Sequence, residues 1–266
     1  MGIDIGIIGG SGFYSLIENA EEVEMTTEYG HPSDKVSIGT INGKSIAFIP
    51  RHGKKHTYPP HKVPYKANIE ALSKLGVKRI ITTVAVGSLK EEYAPGDFVF
   101  IDQFVNMTWG RDDTFFHSNP VIHISPADPY CSELRALASS ESKNLNIKHH
   151  DNGTVVVVNG PRFSTRAESK FFKNQGFDII NMTQYPEVAL AKEKGICYLG
   201  IGIVTDYDAG LENKDIKPVN ATDVLKVFEK NVSTAKNLIT ELISKVPENK
   251  SCNCSKALEE ATGTPK

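Results

Sequence analysis

Ile196-Cys197-Tyr198-Leu199-Gly200-Ile201-Gly202-Ile203-Val204-Thr205-Asp206-Tyr207-Asp208 is an apolar run that closes on two carboxylates. A short, nearly continuous apolar run rich in β-branched residues suits a strand buried on both faces, and such strands belong to covered, largely parallel sheets. Open α/β sheets take up ligands beyond the carboxyl ends of their strands. The acid pair therefore marks a site. Residues two apart on an extended chain face the same way, so Asp206 and Asp208 are expected to address one ligand together.

The rest of the chain alternates in the same manner. Ile3–Ile8 reads as a strand running into Gly9-Gly10-Ser11-Gly12, Arg79–Val86 as one running into Gly87-Ser88, and Phe98–Ile101 as another. Thr154–Asn159 and Phe177–Ile180 are further β-rich runs. Val36–Ile41 and Ser45–Ile49 flank Asn42-Gly43, a dipeptide suited to a two-residue hairpin. Helices are expected over 64–75, 128–143, from 164 onward, over 185–194 and over 219–245, where apolar residues recur at helical spacing. Residues 106–122 are polar, aromatic and irregular, and read as a long functional or interface loop. The sum is an α/β single domain over 1–247, with a central mixed, largely parallel sheet flanked by helices. Residues 248–266 read as a polar, loosely held tail carrying a C-x-C pair.

Bulk properties narrow the function. With 30 Lys+Arg against 32 Asp+Glu the net charge is −2, so nothing in the charge balance draws the chain to nucleic acid or an anionic membrane. The N-terminus lacks the basic flank of a signal peptide, and no apolar stretch is long enough to span a bilayer. The expectation is a cytoplasmic protein acting on a small molecule.

Several strand ends offer anion donors. Gly9-Gly10-Ser11-Gly12 supplies backbone N–H groups and a hydroxyl, although it fits no dinucleotide-binding glycine frame and so argues against a dehydrogenase. Arg51-His52 presents a guanidinium fork beside an imidazole. Val84-Ala85-Val86-Gly87 and Asn181-Met182-Thr183 end strands in small or donor-rich residues. Phe163, in the turn Gly160-Pro161-Arg162-Phe163, could stack on a flat ring or belong to the core. His52, His56 and His61 sit on a proline-broken loop without clustered partners, so no metal is expected there.

These residues, in this order, resemble the methylthioadenosine phosphorylase branch of the trimeric purine nucleoside phosphorylase family. The matching pieces include GIIGGSG at 6–12, RHG at 51–53, HKVPYKANI at 61–69, GPRFSTRAE at 160–168, INMT at 180–183, PEVALAKEKGICY at 186–198 and TDYD at 205–208. The resemblance implies phosphorolysis of 5′-methylthioadenosine to adenine and 5-methylthioribose 1-phosphate, with adenosine tolerated and no cofactor beyond phosphate as co-substrate. It carries phosphate contacts onto Ser11, Arg51, His52, Ala85 and Thr183, ribose contact onto Met182, and base contact onto Phe163, Asp206 and Asp208. Asp206 becomes the catalytic acid at N7. Val224 and Leu225 would line the 5′ pocket, and His123 would reach the pocket of a neighbouring subunit in a trimer or dimer of trimers. Val84 departs from the pattern, standing where members often have Thr.

Ser164 and Asp206 separate this branch from 6-oxopurine enzymes, which carry Glu and Asn at those places. A protonated carboxyl, or a carboxylate accepting from an exocyclic amine, suits a 6-aminopurine, and a mismatch costs about 1–3 kcal/mol. The chain has 4 cysteines. Free thiols are the cytosolic default, but resemblance to thermophilic archaeal members implies the pairs Cys131–Cys197 and Cys252–Cys254. The tail pair alone offers too few ligands for a metal.

Overall fold

The computed structural model describes residues 2–10, 12–117, 121–209, 211 and 218–261. Strand β1 (Ile5–Gly9) is followed by β2 (Glu21–Val23), β3 (Val36–Ile41) and β4 (Lys44–Pro50). Between β3 and β4, Asn42 and Gly43 take φ of 49° and 77°, the pair of left-handed residues a two-residue turn demands. Helix α1 (Tyr65–Lys74) starts after Pro64 and stops at Gly76, as expected. Then come β5 (Arg79–Ser88), β6 (Phe98–Phe100) and β7 (Gln103–Met107). The second half of the chain holds α2 (Ser132–Asn144), β8 (His149–His150), β9 (Thr154–Val158), α3 (Arg166–Asn174), β10 (Ile179–Asn181), α4 (Gln184–Glu193), β11 (Cys197–Asp206), α5 (Ala221–Lys245) and α6 (Ala257–Ala261).

Three expectations need correction. The irregular stretch begins with β7, whose Gln103–Met107 pair in parallel with Thr154–Val158. Helix α2 starts later than Asp128, because the Cys131 N–H is drawn off to the carbonyl of Tyr198 at 2.9 Å. The tail through 261 is held rather than loose, with Cys254 and Ala257 buried.

The strands form one mixed sheet of order β2-β3-β4-β1-β5-β10-β9-β7, and β11 lies on the other edge of β5, carrying β6 and β8. β11 pairs in parallel with β5 from Cys197↔Arg79 to Asp206↔Gly87, with a bulge between Val204 and Asp206. The opposite edge of β5 is shared. β1 takes Arg79–Thr82, while β10 takes Gly87 and Ser88 in antiparallel fashion. Among the described residues, 83–86 are thus left without a strand on that side.

Alternation along the strands divides the core. Ile8, Ile80 and Tyr198 face α1 and α4 through Ile69, Leu72 and Leu190. Ile5, Ile7, Leu199 and Ile201 face α2 and α5 through Leu134, Leu238 and Leu242. Each such side chain contributes about 1.5–3 kcal/mol by leaving water. Both faces of the sheet are covered, so its polar chemistry collects at the strand ends.

Candidate active site

A cavity of about 330 Å³ opens where β10 and β11 end and β5 is left unpaired. It brings together Arg51, His52, Ala85, Thr183, Phe163, Ser164, Met182, Asp206 and Asp208, with Val224 and Leu225 from the first turns of α5. Ser11 lies outside the described residues; its neighbour Gly10 lines the cavity. His123 is exposed and does not line it.

The acid pair is joined differently from what an extended chain would give. Asp206 ends β11 past the bulge, and Asp208 turns into the left-handed region with φ 51°. Its N–H donates to Asp206 Oδ1 at 2.7 Å, and Thr205 Oγ1 donates to Asp206 Oδ2 at 2.7 Å. Burial pushes the Asp206 carboxyl up to about 6 despite these two donors. Burial raises Asp208 as well, against hydrogen bonds from Ser169, Ala209 and Ser164. Asp208 Oδ2 is buried without a hydrogen-bond partner among the described residues. Gly87 makes room for the pair: a Cβ there would stand 3.0 Å from Asp206 Oδ1 and 2.9 Å from Ile180 Cγ2.

At the other end of the cavity Arg51 is buried and largely engaged. Its Nε and Nη2 donate to Glu187 Oε2 and Oε1 at 2.7 and 2.8 Å, Nη1 donates to the Thr83 carbonyl at 3.2 Å, and Nη2 also donates to Thr82 Oγ1. Burial works against the guanidinium, but the charge of Glu187 and its hydrogen bonds hold its pKa above the ordinary arginine value. Among the described residues this leaves one Nη1 hydrogen for a ligand. The expectation of a free fork is corrected accordingly.

His52 is likewise oriented. Its Nδ1 lies 2.8 Å from the carbonyl of Tyr58, which can only accept, so the ring proton sits on Nδ1. Burial and Arg51 push its pKa down to about 4, leaving Nε2 a neutral acceptor. A hydrogen-bearing phosphate oxygen can donate to it; an unprotonated one cannot receive from it.

The unpaired stretch of β5 supplies main-chain groups. Asn181 Nδ2 donates to the Ala85 carbonyl at 3.0 Å. A strand residue directs its N–H to the same edge as its C=O, so the Ala85 N–H points into the opening. Thr83 Oγ1 is buried there without a partner among the described residues. Asn181 Oδ1 accepts from the N–H groups of Thr183 and Gln184 at 2.6 and 2.8 Å, which fixes Thr183 at the entrance to α4.

Phe163 is 37% exposed, a ring left open on the cavity wall. Behind it the capping box of Thr165 and Glu168 starts α3, and Arg162 pairs with Glu168 at 2.7 Å.

The sequence pattern of the Phosphorylase superfamily matches residues 4–244. The chain belongs to this superfamily. Among its relatives, this phosphorylase is 52% identical to the S-methyl-5′-thioadenosine phosphorylase of Nitrosopumilus maritimus, over 97% of its own length and 98% of the relative's. It is 52% identical to the enzyme of the same name from Pyrococcus furiosus, over 96% and 97%. Among solved structures it resembles a methylthioadenosine phosphorylase from an antarctic soil metagenomic library, with TM-score 0.92 and 40% identity over 99% of this chain and 93% of the other. The methylthioadenosine phosphorylase of Schistosoma mansoni in complex with adenine aligns with TM-score 0.89 and 36% identity, over 97% and 96%.

Sequence reading missed several groups that build the phosphorylase's site. Glu187 lies in a largely apolar helical stretch, where a lone carboxylate signals a buried partner, but not which one. In the sequence Asn181 marks a strand end, with no sign that it orders Thr183. Arg111 carried no signal. Its guanidinium donates to the carbonyls of Met182 at 2.8 Å and Asn159 at 3.0 Å, and to that of Tyr185, so it pins the strand ends beside the cavity. All four cysteines are free thiols. The implied pairs are not bonded: the four sulfurs lie within 4.8 Å of one another, and Cys197 approaches Cys252, across those pairs, at 3.3 Å.

Proposed function

We propose that this phosphorylase cleaves 5′-methylthioadenosine with inorganic phosphate, releasing adenine and 5-methylthioribose 1-phosphate. The observation that carries the reading is the placement of Asp206 and Asp208 across one cavity from Arg51, Ala85 and Thr183. A purine seated on Phe163 presents its N7 and exocyclic amine to the acids. Phosphate occupies the opposite end, held by the Ala85 N–H, Thr183, Ser11 and the remaining Arg51 hydrogen, with its hydroxyl donated to His52 Nε2.

A phosphate oxygen forms the bond to C1′ as the C1′–N9 bond breaks. The electron pair of that bond passes into the purine, and the Asp206 proton moves to N7. Asp208 Oδ2 accepts from the 6-amino group. Proton donation of this kind contributes about 10²–10⁴-fold in rate. No further cofactor takes part in this chemistry.

Val224, Leu225 and Phe228 give the 5′ end an apolar surround that favours a thioether. Such pockets reject a hydroxyl only modestly, so adenosine is a poorer substrate and not an excluded one. His123, exposed on its own chain, reaches the site of a neighbour in a trimer or dimer of trimers. Trp109, 75% exposed, and the exposed Met107 offer apolar surface for that contact. The reaction is cytoplasmic, in keeping with thiols that stay reduced.

The test is adenine release from methylthioadenosine with and without phosphate. Release that needs phosphate supports the reading. Release without it, or binding without release, removes it. Comparable turnover of inosine would instead favour a broad-specificity purine nucleoside phosphorylase.

A further inference from the structure

We propose that Cys131, Cys197, Cys252 and Cys254 form a tetrahedral tetrathiolate site for a thiophilic divalent cation, zinc foremost. The four Sγ atoms lie within 4.8 Å of one another, although three separate segments deliver them. Four thiolates at about 2.3 Å from a zinc ion are spaced roughly 3.8 Å apart along every edge of the tetrahedron. The 3.3 Å approach of Cys197 to Cys252 is near that edge and far from a covalent bond. Two separate cystines would sort the sulfurs into pairs. Here they converge on a common centre.

The frame around the cluster is fixed independently of the sulfurs. Cys131 caps the N-terminus of α2, a 13-residue helix whose positive end offsets thiolate charge. Its N–H is bonded to Tyr198 O, and the Cys197 N–H to Lys78 O at 3.0 Å, so both residues are held by the β11 edge of the sheet. The tail arrives from the other side, with Ser251 Oγ donating to Glu133 at 3.0 Å and Arg79 Nη2 to the Pro247 carbonyl at 2.7 Å. A Cβ on Gly195 would come within 3.4 Å of Ser255 Cα, so the tail backbone crosses this turn at contact distance. Cys131, Cys197 and Cys254 are buried in the apolar cluster of α2 and α5, and Cys252 is half-buried at its rim.

Sulfur ligands in tetrahedral array select zinc over the harder cations. Loading displaces the thiol protons to solvent as the four metal–sulfur bonds form, with no change of oxidation state. The site would clamp residues 248–261, and with them α6, to the start of β11. It lies outside the active-site cavity and does not rest on the reading of the substrate.

The experiment uses the full chain, kept anaerobic from lysis onward, with zinc or cobalt(II) as the only addition. The expected result is one metal per chain, a cobalt spectrum of tetrahedral tetrathiolate type, and a thermal midpoint raised by zinc. The double variant Cys252→Ser/Cys254→Ser should bind more than about 100-fold more weakly and gain no thermal protection, while keeping its phosphorolytic activity as a sign that it folds. Four free thiols that bind no metal would overturn the proposal. So would a chain whose intact mass is lighter by four hydrogens and whose peptide map shows two cystines.

Discussion

Arg51 and Glu187 face each other through two parallel hydrogen bonds of 2.7 and 2.8 Å in the protein interior. Tyr198 Oη adds a third donor to the carboxylate at 2.6 Å. The pair cancels its own charge, so Glu187 decides how much of the Arg51 charge a bound anion feels. Glu187→Gln leaves a buried guanidinium without its counter-ion and should cost about 3–5 kcal/mol of stability, measured by denaturant unfolding. Phosphate added to the variant should restore more stability than it adds to the parent protein. Equal stabilisation of the two would show that Arg51 does not sense the anion.

Asp206→Asn removes the proton but keeps the shape. Turnover of methylthioadenosine should fall by about 10²–10⁴-fold, with inosine improved relative to it, because an amide can donate to a 6-oxo group. A nucleoside already methylated at N7 needs no proton and should lose far less. Equal losses on both substrates would remove the acid role.

His52 and Asp206 titrate in opposed senses. His52 is lowered from 6.5 to about 4, so the folded chain binds fewer protons than the unfolded one in that window, and stability falls as pH drops from 6.5 to 4. Asp206 is raised from 3.8 to about 6, so it gives back stability as pH drops from 6 to 3.8. Each contribution is about 3 kcal/mol, and in the parent protein the two nearly cancel. Relative to the parent, Asp206→Asn should become acid-labile by about 3 kcal/mol between pH 6 and 4, and His52→Gln acid-stabilised by a similar amount. Urea midpoints across that range check both, and parallel pH curves for all three proteins would contradict the pair of shifts.

Gly87→Ala should displace the acids, since the new methyl would press on Asp206 Oδ1 and Ile180. Overpacking of this kind costs about 1–3 kcal/mol. Activity should fall more steeply than stability, because the carboxyl is moved from the purine edge. A variant that loses stability alone would place the acids elsewhere in the working enzyme.

Much of this architecture was legible in the chain. Asn42-Gly43 fixed a hairpin because two adjacent left-handed residues have few other uses, and the apolar run before Asp206 could only be an inner strand. The donors around the cavity were legible as types, not as partners. Nothing local tells Arg51 that Glu187, far along the sequence, will take most of its fork. The same holds for the cysteines, where resemblance to thermophilic archaeal members implied two pairs and only the folded path of the tail brings the four sulfurs to one point. Arg111 was invisible because most of its partners are carbonyls, which every residue has.

The interrupted edge of β5 means that part of the anion seat is made of peptide groups and not of replaceable side chains. Randomising position 84 or 85 among small residues should leave phosphate affinity nearly intact. Sliding β10 by one residue, or lengthening the turn that brings it to Gly87, would close or misalign the opening without touching a single ligand. Drift in this lineage should therefore accumulate freely in the letters at that edge, while insertions there are purged.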